Sequence, residues 1–237
     1  MNTLVVVMGW GGSQEIFERH LPLFEHHNCP ILIWTPINAP YDTVHEQFSI
    51  APSAHAYEHA YERCRSMILE LARRKCDRYL VLEYDSFSLE PVIPDCNEFR
   101  GNLQDNREFR FRAPRYPTPP WLIQGEQMQR MAWLLRRMQN VLAFGYMDRM
   151  WGELARLANI PLFNHNPVGF TRSTVEIRHA PDMIKWAEGG GTMIHGVKDP
   201  LILGLLLEAR ARFLKAESDK PPPHPPVKKK KLRVSFR

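Results

Sequence analysis

Cysteine is scarce in this chain, and the four present (Cys29, Cys64, Cys76, Cys96) show no CxxC spacing. That argues against a zinc knuckle and a disulfide framework, and fits reduced thiols in a cytoplasmic protein. Long apolar runs are also missing. Leu4 to Met8 and Leu201 to Leu207 are both far too short to span a bilayer, and no basic segment precedes the first. No secretory leader or membrane anchor is therefore expected. The body lacks an excess of charge as well. Residues 218–237 hold seven Lys or Arg side chains against one acid, which exceeds the whole net charge of +5 and leaves the remainder at −1. A nucleic-acid binder with a wholly basic face is excluded by that near-neutral body. After the first apolar run, Gly9-Trp10-Gly11-Gly12 has neither a Walker lysine nor a full GxGxxG, so neither a P-loop ATPase nor a Rossmann dehydrogenase is supported.

What is present alternates. Residues 3–8 read as a strand, Ser13 as an N-cap for a helix to about His26, and 30–34 as a second strand closed by Thr35-Pro36. Ala56, Ala60, Cys64, Met67 and Leu71 space an apolar stripe along a helix over about 52–75. Residues 78–84 follow as a third strand. Strand, helix, strand, helix, strand with short connections predicts an α/β fold with a mainly parallel sheet. Beyond it, 86–107 read as loop, 108–112 as an edge strand and Tyr116 to Trp121 as a stiff connector. Helices are expected at about 124–139, 147–158, 181–188 and 200–216, with a β-like stretch at 174–178 and a short strand at 192–194. One folded domain over 1–217 is expected, then a Pro- and Lys-rich tail over 218–237 with too little apolar content to fold. That tail is read first as solubilising, with peripheral contact to an anionic membrane surface as its functional alternative.

The third strand ends in acid. In Leu82-Glu83-Tyr84-Asp85 the two carboxylates stand at i and i+2, on one side of an extended chain. In open α/β sheets, ligands bind in the crevice beyond the carboxyl ends of the strands. Oxygen pairs of this type suit Mg²⁺ or Mn²⁺, above all where phosphate supplies further ligands.

Three islands, in this order, resemble glycosyltransferases of the GT-A fold, and the likeness covers most of residues 1–216. Glu83-Tyr84-Asp85 is similar to that family's Asp-x-Asp metal motif. Met147-Asp148-Arg149-Met150-Trp151-Gly152 is similar to the Glu-Asp-x-x-x-Gly helix start carrying the base of many inverting members. Met193 to Lys198 is similar to the C-terminal His-x-x-Lys segment. The chain departs from the pattern in having Glu83 for the first Asp and Met147 for the Glu before the base.

The resemblance implies a GT-A-like, Rossmann-related three-layer sandwich. It implies metal-dependent transfer of a sugar from a UDP- or GDP-linked donor to a hydroxyl of a glycan or other acceptor. Asp85, Glu83 and His195 would hold Mn²⁺ or Mg²⁺, Lys198 would meet a phosphate, and Asp148 would be the base of an inverting reaction. Gly9, Trp10, Thr35 and Pro36 would border the nucleotide. Tyr116, Trp121 and Glu126 are the candidate acceptor residues, because rings stack on sugar faces and carboxylates accept sugar hydroxyls. Trp133 and Trp151 lie in helical patterns and read as core. The competing readings are a sugar nucleotidyltransferase and a degenerate, non-catalytic nucleotide- or glycan-binding module.

Overall fold

The structure is a computed structural model, and it describes residues 2–37, 39–50, 60–88, 98–105, 115–138, 147–164, 170–171, 177–189 and 193–219. In chain order the elements are β1 (Thr3–Met8), α1 (Gln14–Glu25), β2 (Ile31–Pro36), β3 (Glu46–Ile50), α2 (Ala60–Arg74), β4 (Arg78–Glu83), β5 (Phe87–Ser88) and β6 (Phe99–Asp105). Then come β7 (Arg115–Gln124), α3 (Gly125–Arg137), α4 (Met147–Leu157), β8 (Leu162–Asn164), β9 (Phe170–Thr171), α5 (Ala180–Glu188), β10 (Met193–His195) and α6 (Pro200–Ser218). The strand expected at 108–112, residues 52–59 of the expected second helix, and positions 174–176 lie outside the described residues.

The main sheet has the order β3-β2-β1-β4-β7-β6-β8. The ladders from β3 through β2 and β1 to β4 are all parallel, and β6–β8 is parallel too. Only β7 runs against its neighbours. The expected mixed α/β architecture with a mainly parallel sheet is therefore present. Its central strands carry continuous apolar runs (residues 4–8, 31–34 and 79–82) because both faces are covered, as in parallel sheets generally. Along β1, Leu4, Val6 and Met8 join a core with Met67 and Leu71 of α2, Met131 of α3 and Trp151 of α4. Val5 and Val7 point the other way, against Phe17 and Phe24 of α1. A third core gathers Met183 of α5, Ile194 of β10 and Ile202 and Leu206 of α6. β10 also forms a small second sheet in the order β5-β10-β9.

The second half departs from its sequence reading. Part of the segment read as loop forms β6, and the stiff connector is β7, an inner strand of the main sheet. Proline ordinarily argues against such a place because it has no N–H for the ladder. Here the β4 ladder covers only Trp121 to Gln124, so Pro117, Pro119 and Pro120 lie past its end. On the other edge, the pairing shifts register between Arg100 and Asn102, opposite Pro119 and Pro120. Pro119 and Pro120 thus sit where few ladder donors are needed, while Pro117 is paired with Leu103 of β6. The helices expected in this half are found close to their predicted bounds, and α6 runs two residues further, to Ser218. No helix among the described residues is long and apolar enough to cross a membrane.

Candidate functional site

β1, β2 and β4 end side by side, with Met8 paired to Trp34 and to Glu83. The loop after β1 is built around a tyrosine. Tyr41 is buried, and its ring lies so close to Gly9 that a Cβ there would come within 2.6 Å of it. The Trp10 N–H donates to the Tyr41 hydroxyl and to Ser13 Oγ, both at 3.0 Å, and the Gly9 N–H donates to the Trp34 carbonyl at 2.7 Å. Ser13 precedes α1 as expected, but its hydroxyl makes no cap hydrogen bond to the helix. It donates to the Trp10 carbonyl at 2.6 Å and meets Tyr41, closing the loop. The N–H groups of Gly9 and Trp10 are thus engaged within the protein, and the half-buried Trp10 side chain is what this loop offers the crevice. Thr35 is buried, with Oγ1 3.5 Å from Ser49 Oγ of β3, and Pro36 beside it is buried as well, so neither offers an exposed surface to a nucleotide.

Glu83 is the last residue of β4, and Tyr84-Asp85 make the turn after it. Ser86 closes that turn by donating its N–H to the Glu83 carbonyl at 2.9 Å and accepting the Glu83 N–H on Oγ at 3.0 Å. Tyr84 N–H reaches across to the Met8 carbonyl at 3.0 Å. Asp85 is 1% exposed, and its Oδ2 lies 3.6 Å from Lys198 Nζ. A backbone bond fixes this approach: Val197 N–H donates to the Asp85 carbonyl at 3.0 Å. The sequence islands around Asp85 and Lys198 therefore do meet. The Lys198 ammonium is 5.9 Å from the Tyr84 ring. Burial first, then the neighbouring carboxylates of Asp85 and Glu83, pushes the Tyr84 phenol well above its ordinary value, so it stays protonated. Tyr41 is shifted the same way, mainly by burial.

His195 closes β10, paired with Thr171, which places its backbone three residues before Lys198; its side chain is outside the described residues. Among the described residues no three His, Cys, Asp or Glu side chains gather as a metal-binding group. Asp85 offers carboxylate oxygens of the type a hard divalent cation takes, and here the Lys198 ammonium stands beside them as counter-ion.

Sequence reading missed Arg63. This α2 residue is buried between the rings of Trp10 and Trp34, and the Glu83 carboxylate partly offsets the burial that lowers its pKa to about 10. One signal was available: Arg63 interrupts the apolar stripe of α2 between positions 60 and 67, where a cation needs a reason to be.

Asp148 lies in the first turn of α4, and Tyr116 opens onto it from β7. Together with Thr118 and Arg149 they line a cavity of about 320 Å³. The Arg149 guanidinium stands 5.6 Å over the Tyr116 ring. The elements come this close because position 152 is glycine: a Cβ there would lie 2.7 Å from Tyr116 Cβ and 2.8 Å from its Cα. Beneath, the wholly buried Cys64 thiol is pushed up by burial, with the Asp148 charge as a lesser cause.

The three candidate acceptor residues are not brought together. Tyr116 stands beside Asp148, as a shared site requires. Trp121 is 0% exposed and packs on Trp151 at 4.9 Å between ring centres, so no sugar can stack on it. Glu126 sits at the start of α3, anchored where Gly125 N–H meets the Asp77 carbonyl at 2.7 Å. That is the N-terminal edge of β4, the opposite pole from the acids. A larger cavity of about 850 Å³ lies there, lined by Lys75, Asp77 and Glu126. Size alone favours it, but none of Glu83, Asp85, Asp148 or Lys198 lines it. Trp151 is core as expected, whereas Trp133 is 52% exposed and carries Arg137 on its ring, which corrects its reading as core.

No protein-family model matches the chain, and no curated protein matches it. Among solved structures, it is similar to a glycosyltransferase involved in the glycosylation of the major capsid of PBCV-1. The two are 12% identical, the match covers 89% of this chain and 100% of the other, and the TM-score is 0.48.

Proposed function

We propose that this protein transfers a sugar from a nucleotide-diphosphate donor, UDP- or GDP-linked, to a hydroxyl of a glycan or other acceptor. The observation that supports this reading best is the meeting of Asp85 and Lys198 beyond the strand ends, at 3.6 Å, although the two are far apart in sequence. An acid and a base so placed provide for both halves of a cation–diphosphate complex. Lys198 is 34% exposed and offers a point charge to a phosphate oxygen. Asp85, with Glu83 and His195, would hold Mn²⁺ or Mg²⁺. When bound, that ion offsets the negative charge developing on the leaving diphosphate.

The acceptor end is the cavity at Asp148. As general base, Asp148 would take the proton of the attacking hydroxyl, and the start of α4 favours its ionised form. A base opposite the leaving group makes the transfer inverting. Tyr116 provides the face on which an acceptor ring would lie. The basic tail beyond α6 would bring the enzyme to an anionic surface.

One observation favours a second reading. Asp85 already has Lys198 as a counter-ion, as a site that binds a nucleotide without metal and without turnover would. Calorimetric titration of UDP and GDP, with and without Mn²⁺, separates the two. Mn²⁺-dependent binding of one nucleotide, lost in Asp85→Asn and weakened in His195→Ala, is expected of the enzyme. Binding indifferent to metal, with no hydrolysis or transfer of the matching nucleotide sugar, selects the binding module. No binding at all removes the donor site.

A further inference from the structure

The two indole rings and the nearby Glu83 charge account for the plane of the Arg63 guanidinium but not for its edge. The stripe of α2 it occupies is otherwise apolar, with Cys64, Met67 and Leu71 all buried, and a Leu or Met would fill the place without desolvating a charge. Yet the residue is only 3% exposed. Its guanidinium carbon lies 3.8 Å from the centre of the Trp10 ring and 4.6 Å from that of Trp34. Two indole faces hold the planar group by cation–π attraction, and its hydrogen-bonding capacity lies in its edge. On that edge, Nη1 is buried with no hydrogen-bond partner among the described residues. An unused N–H on a buried cation is costly, and sites retain such groups when a ligand completes them.

Its place says which ligand. Trp10 follows β1, Trp34 belongs to β2, and the nearby Glu83 ends β4, so Arg63 stands at the crevice beyond the strand ends. We infer that Arg63 reads the donor, its Nη1 donating to an oxygen of a nucleoside diphosphate while the two indoles hold its fork in plane. The inference rests on the nucleotide-sugar reading above. The oxygen belongs either to the diphosphate or to a carbonyl of the base; the chemistry is the same, and the test separates the two.

UDP, GDP, uridine, guanosine and pyrophosphate are titrated into the full chain, with and without Mn²⁺, using calorimetry and indole fluorescence. Wild type, Arg63→Met and Arg63→Lys are compared, and each is melted without ligand. Arg63→Met is expected to melt at or above the wild-type temperature, because it removes an unsatisfied buried charge. It is expected to bind the preferred nucleotide ~10- to 100-fold more weakly. Arg63→Lys keeps a charge but loses the fork, and is expected to lose at least ~10-fold. An equal loss for pyrophosphate assigns the contact to phosphate; a loss confined to the nucleoside assigns it to the base. Folded variants that bind the nucleotide as wild type does overturn the inference, and Arg63→Lys decides if Arg63→Met does not fold. Wild type binding neither nucleotide overturns the donor reading itself, a result seen before any variant is compared.

Discussion

Asp148 and Asp85 are both acids at the ends of secondary-structure elements, but their surroundings differ, and the proposed function gives them different tasks. Asp148 lines a cavity in the first turn of α4, where, as the base proposed above, it would meet an incoming hydroxyl. Asp85 is buried against an ammonium and is suited to hold charge rather than move a proton. Asp148→Asn is therefore expected to slow transfer ~10²-fold or more while leaving the donor dissociation constant unchanged. Single-turnover kinetics beside calorimetry checks this, and a loss seen only in donor affinity would move Asp148 out of the base's role. At this scale the approach of Asp85 to Lys198 was legible in the sequence, because residue type and strand position together mark them. The acceptor set was not. Tyr116, Trp121 and Glu126 are close in sequence, but β7 is extended, and its ~3.3 Å rise per residue carries them from one pole of the sheet to the other. An extended strand separates what a loop would have gathered.

Among the elements, α4 and β7 make the contact on which the Asp148 cavity depends. Gly152 lets the helix lie on the Tyr116 backbone, and backbone atoms cannot step aside for a methyl group. Gly152→Ala is expected to destabilise by ~1–3 kcal/mol and to displace Asp148 from Tyr116. Urea unfolding measures the first effect and the transfer rate the second. Full stability with full activity would mean that the helix can shift without harm. The central strands β1, β2 and β4 were legible because burial on both faces leaves continuous apolar runs. β7 was hidden by its three prolines, and only the positions of its neighbours' ends explain why they are tolerated. The edge strand β3 was missed for the opposite reason: Glu46-Gln47-Phe48-Ser49-Ile50 carries little apolar signal.

For the molecule as a whole, pH and truncation are the informative perturbations. Burial, with His26 as a lesser cause, lowers the His27 pKa from 6.5 to about 4. Between those values the unfolded chain binds the proton and the folded chain does not, so stability rises with pH there. The contribution is complete above pH 6.5 and is lost as pH falls through about 4, amounting to at most ~3 kcal/mol. Urea unfolding at pH 7 and pH 4.5 should show the drop in wild type and a smaller one in His27→Gln; equal drops would assign the acid sensitivity elsewhere. The described fold ends with α6 and Asp219. Removing residues 220–237 is expected to leave the melting temperature and the activity toward dissolved acceptors unchanged while weakening binding to anionic vesicles. A fall in melting temperature would show that the tail packs on the body.

The small sheet β5-β10-β9 joins the segment just after the acids to the segment just before Lys198. This has a consequence for the order of events during synthesis. Closing so long a loop costs entropy before any contact repays it, so the join belongs among the late steps of folding. A nascent chain would display its acids, already set by the β1–β4 ladder, well before the lysine that neutralises one of them has left the ribosome. Until then Asp85 would be a carboxylate in search of a cation.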